Sequence, residues 1–329
     1  MKSFLAERAV VLSKTGIGLL FLMGGMSAWS QAFPTKPVRI VIPNAAGGGS
    51  DVVARIVSPK LTEQLGQQVL IDNRGGAAGV IGTELVIKSP PDGYTLYLGT
   101  LGNFSVNPSL YEKLPYDISR DLIPVTTMVN VPYFLFVHAA LPVKSVQELI
   151  AYARTRPGQL FYSSAGNGSA QHLAGELFQS VTGVKLAHVP YKGGGPAMTD
   201  LIGGQVQLTF SSGLSGFPQV KAGRIRALAA AASKRSTTYP DVPSLSESLP
   251  GFEFRNWIAL AAPTGTPPAI INKLNSEVVK AVTLPEIRTS LATQGAEPIA
   301  DSAEESAAFI KAETAKWSKI VKDTGMKPD

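Results

Sequence analysis

The stretch Val38-Arg39-Ile40-Val41-Ile42-Pro43-Asn44-Ala45-Ala46-Gly47-Gly48-Gly49-Ser50-Asp51 decides how this chain is expected to fold. A β-branched run ends in a proline, and three glycines and a Ser-Asp pair precede apolar residues at helical spacing. This order predicts a strand that leads into the N-terminus of a helix. The first amides of a helix lack intrahelical acceptors and carry the positive end of its dipole, so such a turn attracts a carboxylate or phosphate. A turn whose glycines only allow close packing is the structural alternative.

The same alternation of short β-branched runs and amphipathic stretches continues along the chain and predicts a parallel α/β sheet. The expected strands lie at 38–42, 69–72, 94–98, 160–163, 187–189, 206–210 and 225–230. The expected helices lie at about 51–65, 79–88, 146–155, 170–182, 197–203, 217–222, 268–282, 285–294 and 303–324.

Two extended stretches, Val125–Val137 and Phe252–Pro263, are predicted to cross between two lobes. Lobe 1 is then expected to contain residues 33–130 and 253–329, and lobe 2 residues 131–252. Two crossing segments allow the lobes to close as hinged units over a cleft at the carboxyl ends of the strands.

The N-terminus has the composition of a targeting segment. A basic start (Lys2, Arg8 and Lys14) precedes the apolar run Gly16–Met26, and Ser30-Gln31-Ala32 supplies small residues for cleavage after Ala32. Residues 1–32 are therefore predicted to be a signal peptide and the protein to be exported. An uncleaved anchor helix is the alternative.

Composition limits the functional classes. Of 329 residues, 297 remain after residue 32, which is enough for two lobes, and the formal net charge falls from +6 to +4 as three basic residues and one acidic residue leave. The sequence has no cluster of basic residues interleaved with aromatic residues, so nucleic acid binding is not indicated. The absence of cysteine excludes disulfides, thiol nucleophiles and thiolate metal sites.

Catalytic motifs are also missing from the sequence. The three histidines (His138, His172 and His188) are widely spaced and form no His-x-x-x-His pair, and there is no Gly-x-Ser-x-Gly turn, Walker sequence or complete dinucleotide fingerprint. No enzyme activity, metal or cofactor is expected.

Four loops after predicted strands carry the remaining polar signals: 44–51, 100–109, 163–172 and 190–196. The first and third share a strand-glycine-helix order, so two facing helix N-termini are predicted to hold one anion. Ordinary turns explain Asn, Ser and Pro in the second loop equally well. His172 also fits a packing or capping residue, and Lys192 a solvated turn lysine.

Seven short motifs, spread over the whole mature chain, occur in the same order as in a known protein family. They are Phe33–Pro43, Gly47–Asp51, Asp72-Asn73-Arg74, Pro91-Asp92-Gly93-Tyr94-Thr95-Leu96, Asn107-Pro108-Ser109-Leu110-Tyr111, Pro190-Tyr191-Lys192-Gly193 and Ala262-Pro263-x-Gly265-Thr266-Pro267. In these motifs the chain resembles the Bug family of periplasmic receptors for tripartite tricarboxylate transporters.

The resemblance implies a two-lobed type II periplasmic binding protein fold in the α/β class, with a mostly parallel sheet and flanking helices in each lobe. It implies a monomer in the periplasm that captures a small carboxylate-bearing metabolite and delivers it to the membrane subunits of a tripartite tricarboxylate transporter. A sensor that signals through a membrane partner and an exported enzyme acting on a carboxylic acid are the alternatives.

The candidate ligand-binding residues follow from the loops and the resemblance together. They are Asn44, Ala45, Ala46, Gly47, Gly48, Gly49, Ser50, Asp51, Gly102, Asn103, Phe104, Ser105, Asn107, Ser163, Ala165, Gly166, Gly168, Ser169, His172, Tyr191, Lys192 and Gly193. The chain departs from the family pattern at Asn44-Ala45-Ala46, where relatives carry Phe-Ala-Pro, and at Phe104-Ser105-Val106, where they carry Thr-His-Ala. The apolar Phe104 and Val106 suggest a ligand with an apolar or aromatic body.

Overall fold

Two mixed β-sheets organise the part of the chain that the structure, a computed structural model, describes: residues 33–44, 46–76, 79–191, 193–236 and 238–327. The predicted signal peptide, residues 1–32, lies outside these ranges, as do Ala45 and Lys192. Within them, no helix is both long enough and apolar enough to cross a bilayer.

The strands are β1 Val38–Ile42, β2 Val69–Asn73, β3 Thr95–Thr100, β4 Leu122–Asn130, β5 Tyr133–His138, β6 Phe161–Ser164, β7 Ala187–Pro190, β8 Leu208–Ser212, β9 Ile225–Ala230, β10 Trp257–Pro263 and β11 Glu297–Pro298. The α-helices are α1 Gly49–Leu65, α2 Val80–Ile87, α3 Asn107–Leu110, α4 Ile118–Asp121, α5 Val146–Arg154, α6 Ala170–Thr182, α7 Gly194–Ile202, α8 Gly213–Lys221, α9 Pro268–Thr283, α10 Pro285–Thr293 and α11 Ala303–Thr324. A π-helix covers Gly102–Val106 and a 3-10 turn covers Leu245–Glu247.

The first sheet has the strand order β11-β4-β10-β3-β1-β2, and the second has the order β7-β6-β8-β5-β9. Most strands of each sheet run in one direction, with β10 and β11 reversed in the first sheet and β5 reversed in the second. This is the predicted two-lobed α/β architecture, because helices flank both sheets.

The chain passes twice between the sheets. The segment 131–132 joins β4 of the first sheet to β5 of the second, and the segment preceding β10 leads back. The amide of Val131 donates to the carbonyl of Asn256 at 2.9 Å, so the two crossings lie side by side. The stretches 125–137 and 252–263, predicted to cross between lobes, are mostly sheet strands (β4, β5 and β10), and only the short links next to them cross. Lobes of residues 33–130 with 253–329 and of residues 131–252 remain our proposal.

Successive side chains along the strands of the first sheet point to opposite faces and pack into different apolar cores. Ile40 and Ile42 pack with α1 and α9, whereas Val41 and Tyr97 belong to a second buried cluster. That second cluster continues into the other sheet, where it includes Leu135. One apolar core is therefore shared by both lobes.

Several helix starts differ from the sequence prediction. Helix α7 begins at Gly194 instead of 197, and α8 begins at Gly213 instead of 217. Glycine has low helix propensity, so it hides the first turns of these helices in a sequence pattern. The π-helix Gly102–Val106 and helix α3 replace the loop expected over 100–109.

Candidate functional site

A cleft of about 740 Å³ is lined by loops and helix ends of both lobes. Roughly 300–1,000 Å³ is usual for small-molecule sites. Eleven of the candidate residues line it: Asn44, Gly47, Gly48, Gly49, Ser50, Gly102, Asn103, Asn107, Ala165, Gly168 and Ser169. The cleft therefore brings together the first three predicted loops.

The N-terminus of α1 opens into this cleft. Gly48 is the N-cap residue, no side chain caps the helix, and both Gly48 and Gly49 line the cleft. Gly47 has φ = 81°, a left-handed conformation that glycine adopts without a steric penalty. The glycines thus expose the first amides of α1, which lack intrahelical acceptors, to whatever occupies the cleft.

Asp51 shapes this turn from behind. Its buried carboxylate accepts the Gly47 amide at 2.8 Å and the Arg55 Nε at 3.0 Å. The hydrogen bond from Arg55 is the main cause that lowers the pKa of Asp51, so the carboxylate stays ionised and paired. Asp51 does not line the cleft, and neither does Ala46. Asp51 therefore positions the glycine turn.

Asn103 ties the two lobe 1 loops together. Its Oδ1 accepts the Thr100 amide at 3.0 Å, the Thr100 hydroxyl at 2.8 Å and Nδ2 of Asn44 at 3.3 Å. These three bonds hold the start of the π-helix against the turn before α1. Asn44, which departs from the family pattern, is thus held in place by Asn103.

The π-helix turns two candidate side chains away from the cleft. Phe104 is buried and its ring packs on Tyr97 and Trp257, with centroids 5.3 and 5.6 Å apart. Ser105 is also buried, and its hydroxyl contacts that of Thr314 on α11 at 3.0 Å. Val106 lies in the same core. The suggestion that Phe104 and Val106 indicate an apolar ligand body is therefore wrong, since both side chains stabilise the protein interior.

The third loop forms the facing wall in lobe 2. The Ser169 side chain caps α6 by accepting the His172 amide at 3.3 Å, and the Gly168 amide donates to Nδ1 of His172 at 3.0 Å. The His172 ring is buried and stacks on His188 at 4.1 Å between centroids. Burial, with a smaller contribution from His188, lowers the pKa of His172 to about 3. His172 is thus a neutral support for the loop behind the cleft wall.

Two further residues of this loop have internal partners. The Ser163 hydroxyl donates to the Ala197 carbonyl at 3.1 Å and is fully buried. The Gly166 amide donates to the Ser164 hydroxyl at 3.1 Å. Ser163 and Gly166 do not line the cleft.

The described residues of the fourth predicted loop support the third loop and do not line the cleft. The Tyr191 amide donates to the Ser164 carbonyl at 3.0 Å, and the Gly193 amide donates to the Ala165 carbonyl at 3.2 Å. The Tyr191 hydroxyl donates to Asp200 at 2.6 Å, and burial is the main cause that raises the pKa of Tyr191 to about 12. Lys192 between them lies outside the described residues.

Several other residues that line the cleft were not predicted from the sequence. The N-terminus of α8 contributes Ser212, Leu214 and Ser215. No side chain caps this helix. The motif Ser-Ser-Gly-Leu-Ser-Gly after β8 repeats the strand-glycine order of the first loop, and this repeat was the available signal. The crossings and the turn after α10 add Val131, Tyr133, Asn256, Gln294 and Ala296.

The described residues that line the cleft carry no charged side chain. Their donors are backbone amides, hydroxyls and carboxamides, and much of the remaining wall is apolar: Val52, Val53, Leu101, Leu110, Val131, Leu173, Leu214 and Ile258. Among these and the other described residues, no group of three metal-ligating side chains was found. The arrangement suits an anion held by oriented neutral donors beside an apolar body.

The sequence matches the family described as "Tripartite tricarboxylate transporter family receptor" over residues 53–326. Protein BugT of Bordetella pertussis is 38% identical over 315 residues, covering 94% of this chain and 97% of BugT. Both agree with the resemblance drawn from the motifs.

Solved structures give the same result. Rpa4515 of R. palustris, solved with adipate, is 39% identical with a TM-score of 0.78, covering 90% of this chain and all of that one. MatC of Rhodopseudomonas palustris, solved with bound malate, is 33% identical with a TM-score of 0.74, covering 88% of this chain and all of MatC. The family consists of receptors rather than enzymes, as predicted. The chain belongs to the tripartite tricarboxylate transporter receptor family, the Bug-type periplasmic solute-binding proteins.

Proposed function

We propose that this protein captures a small carboxylate-bearing metabolite in the cleft and delivers it to a transporter of the tripartite tricarboxylate type. The observation that carries the proposal is the uncapped N-terminus of α1, which opens into a cleft whose described lining has no charged side chain. A carboxylate there gains hydrogen bonds to backbone amides and the favourable end of the helix dipole.

Within lobe 1, the proposed carboxylate site consists of the glycine turn with the side chains of Ser50 and Asn103. Within lobe 2, the facing donors are the third loop and the hydroxyls at the start of α8. Asp51, His172, Tyr191 and Gly193 hold these walls in place and do not touch the ligand. Ligands of similar chemistry, adipate and malate, occupy the relatives Rpa4515 and MatC.

The finer parts of the proposal concern location and assembly. Export requires the predicted signal peptide, residues 1–32, and cleavage after Ala32 leaves the receptor free in the periplasm. We expect a monomer, because the cleft is built by the two lobes of one chain.

Isothermal titration and thermal unfolding of the purified mature protein with succinate, adipate, malate, citrate and the neutral adipamide test ligand binding. An acid at ~100 times its Kd stabilises the protein by about 2.7 kcal/mol. With an unfolding entropy of ~2.1 cal/mol/K per residue, that is a shift in Tm of roughly 4 °C or more for a chain of this size. We expect at least one acid to bind and adipamide to leave Tm unchanged. If none of these acids binds, the proposal is overturned.

Delivery is tested in cells. Deleting the membrane subunits of the cognate tripartite transporter is expected to abolish uptake of the bound acid as completely as deleting the receptor. Uptake that persists, with loss of a transcriptional response to the acid instead, identifies a sensor.

A further inference from the structure

Leu214 is an exposed apolar side chain inside the cleft. It is the second residue of α8 and is 42% exposed. Among the described residues, five other large apolar side chains are comparably exposed, and none of them lines the cleft: Leu70, Ile81, Ile123, Phe161 and Val181. A ligand in the cleft is the group that can cover Leu214.

A glycine of lobe 1 faces this leucine. Gly295 follows α10 with φ = 64°, and a Cβ atom built on it would lie 3.4 Å from Cγ of Leu214. Its neighbours Gln294 and Ala296 line the cleft. The lobe 1 backbone at Gly295 therefore lies close to Leu214, so the leucine spans from one lobe to the other at this end of the cleft.

The surroundings of Leu214 decide which ligand atoms suit it. Val131 and Ile258 add apolar surface to the cleft, and the described lining carries no charge. The neighbouring hydroxyls of Ser212 and Ser215 lie 3.2 Å apart and contact each other. Because these hydroxyls are proposed to bind a carboxylate of the ligand, a hydroxyl on the ligand body that is pressed against the leucine side chain would lose water without gaining a partner from the leucine, which is unfavourable.

We propose that Leu214, which lies against Gly295, is a specificity-determining residue that selects acids with an unsubstituted hydrocarbon body over hydroxylated acids of the same carbon number. The inference rests on the proposed function and concerns the same cleft. It assigns the preference for an apolar ligand body to α8 in lobe 2. The sequence had suggested Phe104 and Val106 in lobe 1 for this role.

Matched pairs of acids that differ by one hydroxyl test this assignment: succinate with malate, and glutarate with 2-hydroxyglutarate. For the wild-type protein, titration is expected to give a Kd about tenfold or more lower for the unsubstituted member of the better-binding pair. In Leu214→Ser, the unsubstituted acid binds about tenfold more weakly and the ratio of the two Kd values falls toward one. Leu70→Ser is the control, because it makes the same change at the same 42% exposure outside the cleft.

The outcomes separate the two proposals. If no acid binds the wild-type protein, the receptor function itself is overturned. If acids bind but Leu214→Ser leaves the ratio of Kd values unchanged, or if the wild-type protein prefers the hydroxylated members, the role of Leu214 is overturned and the receptor function stands. A ratio that changes equally in Leu70→Ser also overturns it.

Discussion

The amide of Gly168 donates to Nδ1 of His172 at 3.0 Å, which makes the imidazole an acceptor at that atom and leaves its proton on Nε2. The bond spans the turn that precedes α6, and Gly168 and Ser169 of this turn line the cleft. A protonated imidazole has no acceptor at Nδ1, so the shape of the turn depends on a neutral ring.

This dependence predicts how stability varies with pH. The pKa of His172 is lowered from 6.5 to about 3 in the folded protein, so between these values only the unfolded chain takes up the proton. Stability from this group is therefore present above pH 6.5 and is lost as the pH falls toward 3, by at most about 1.4 kcal/mol per pH unit. Urea denaturation of wild type and His172→Phe at several pH values measures it. The difference in free energy of unfolding should shrink as the pH falls, and a constant difference would contradict the expectation.

Removing one amide at the start of α1 should weaken ligand binding without unfolding the helix. Gly49 is the first helical residue, where proline is tolerated, and Gly48 before it has φ = −76° and ψ = 169°, which a following proline requires. Gly49→Pro is expected to raise the Kd for the bound acid about 10–100-fold with little change in Tm.

Gly49→Ala is the matched control for that variant. A Cβ at this position has no neighbour within 4 Å, and alanine keeps the amide. If the alanine variant loses as much affinity as the proline variant, the added carbon atom and not the missing donor is responsible, and the Gly49 amide does not bind the carboxylate.

A buried carboxylate links the strand that returns from lobe 2 to the last helix. Glu313 on α11 accepts the indole N–H of Trp257 at 3.3 Å and that of Trp317 at 3.2 Å. Glu313→Ala leaves both buried donors without an acceptor, and we expect a loss of about 3 kcal/mol in the free energy of unfolding. Glu313→Gln retains one oxygen acceptor and should lose clearly less. Urea denaturation of both variants measures these losses. Equal losses of stability in Glu313→Ala and Glu313→Gln would show that hydrogen bonding to the indoles is unimportant.

The lobes also approach each other at Gly102. A Cβ built on Gly102 lies 3.6 Å from the Gly168 carbonyl of the opposite lobe. Gly102→Ala therefore fits, whereas the ring of Gly102→Phe should keep the lobes apart. Small-angle scattering with saturating ligand is expected to show a larger radius of gyration for the phenylalanine variant only, together with weaker binding. An unchanged radius would mean that closure does not use this contact.

Much of the lobe 1 site could be predicted from its sequence because the signals are local. A β-branched run and three glycines fix β1 and the start of α1, and Gly66 ends α1 in the left-handed conformation, as expected. In lobe 2, α6 and β9 have the predicted bounds, whereas α7 and α8 begin earlier than predicted.

The errors arose where tertiary packing decides the direction of a side chain. Phe104 and Ser105 follow a cleft-lining glycine, but the π-helix turns them into the core, and no local pattern indicates a π-helix. Leu214 was missed because Gly213 and Gly216 obscure the first turn of α8. Gly295 and Leu214 are far apart in the chain, so their contact depends on how the lobes fold together.

The uncharged lining that the described residues give the cleft would also matter after a bound acid has left. In a site built on lysine or arginine, a departing acid would leave an unpaired cation, which tends to bind the acid again or to bind chloride. Under the proposed function, departure of the acid leaves only neutral amides, hydroxyls and carboxamides along the described lining, and water can rehydrate these groups.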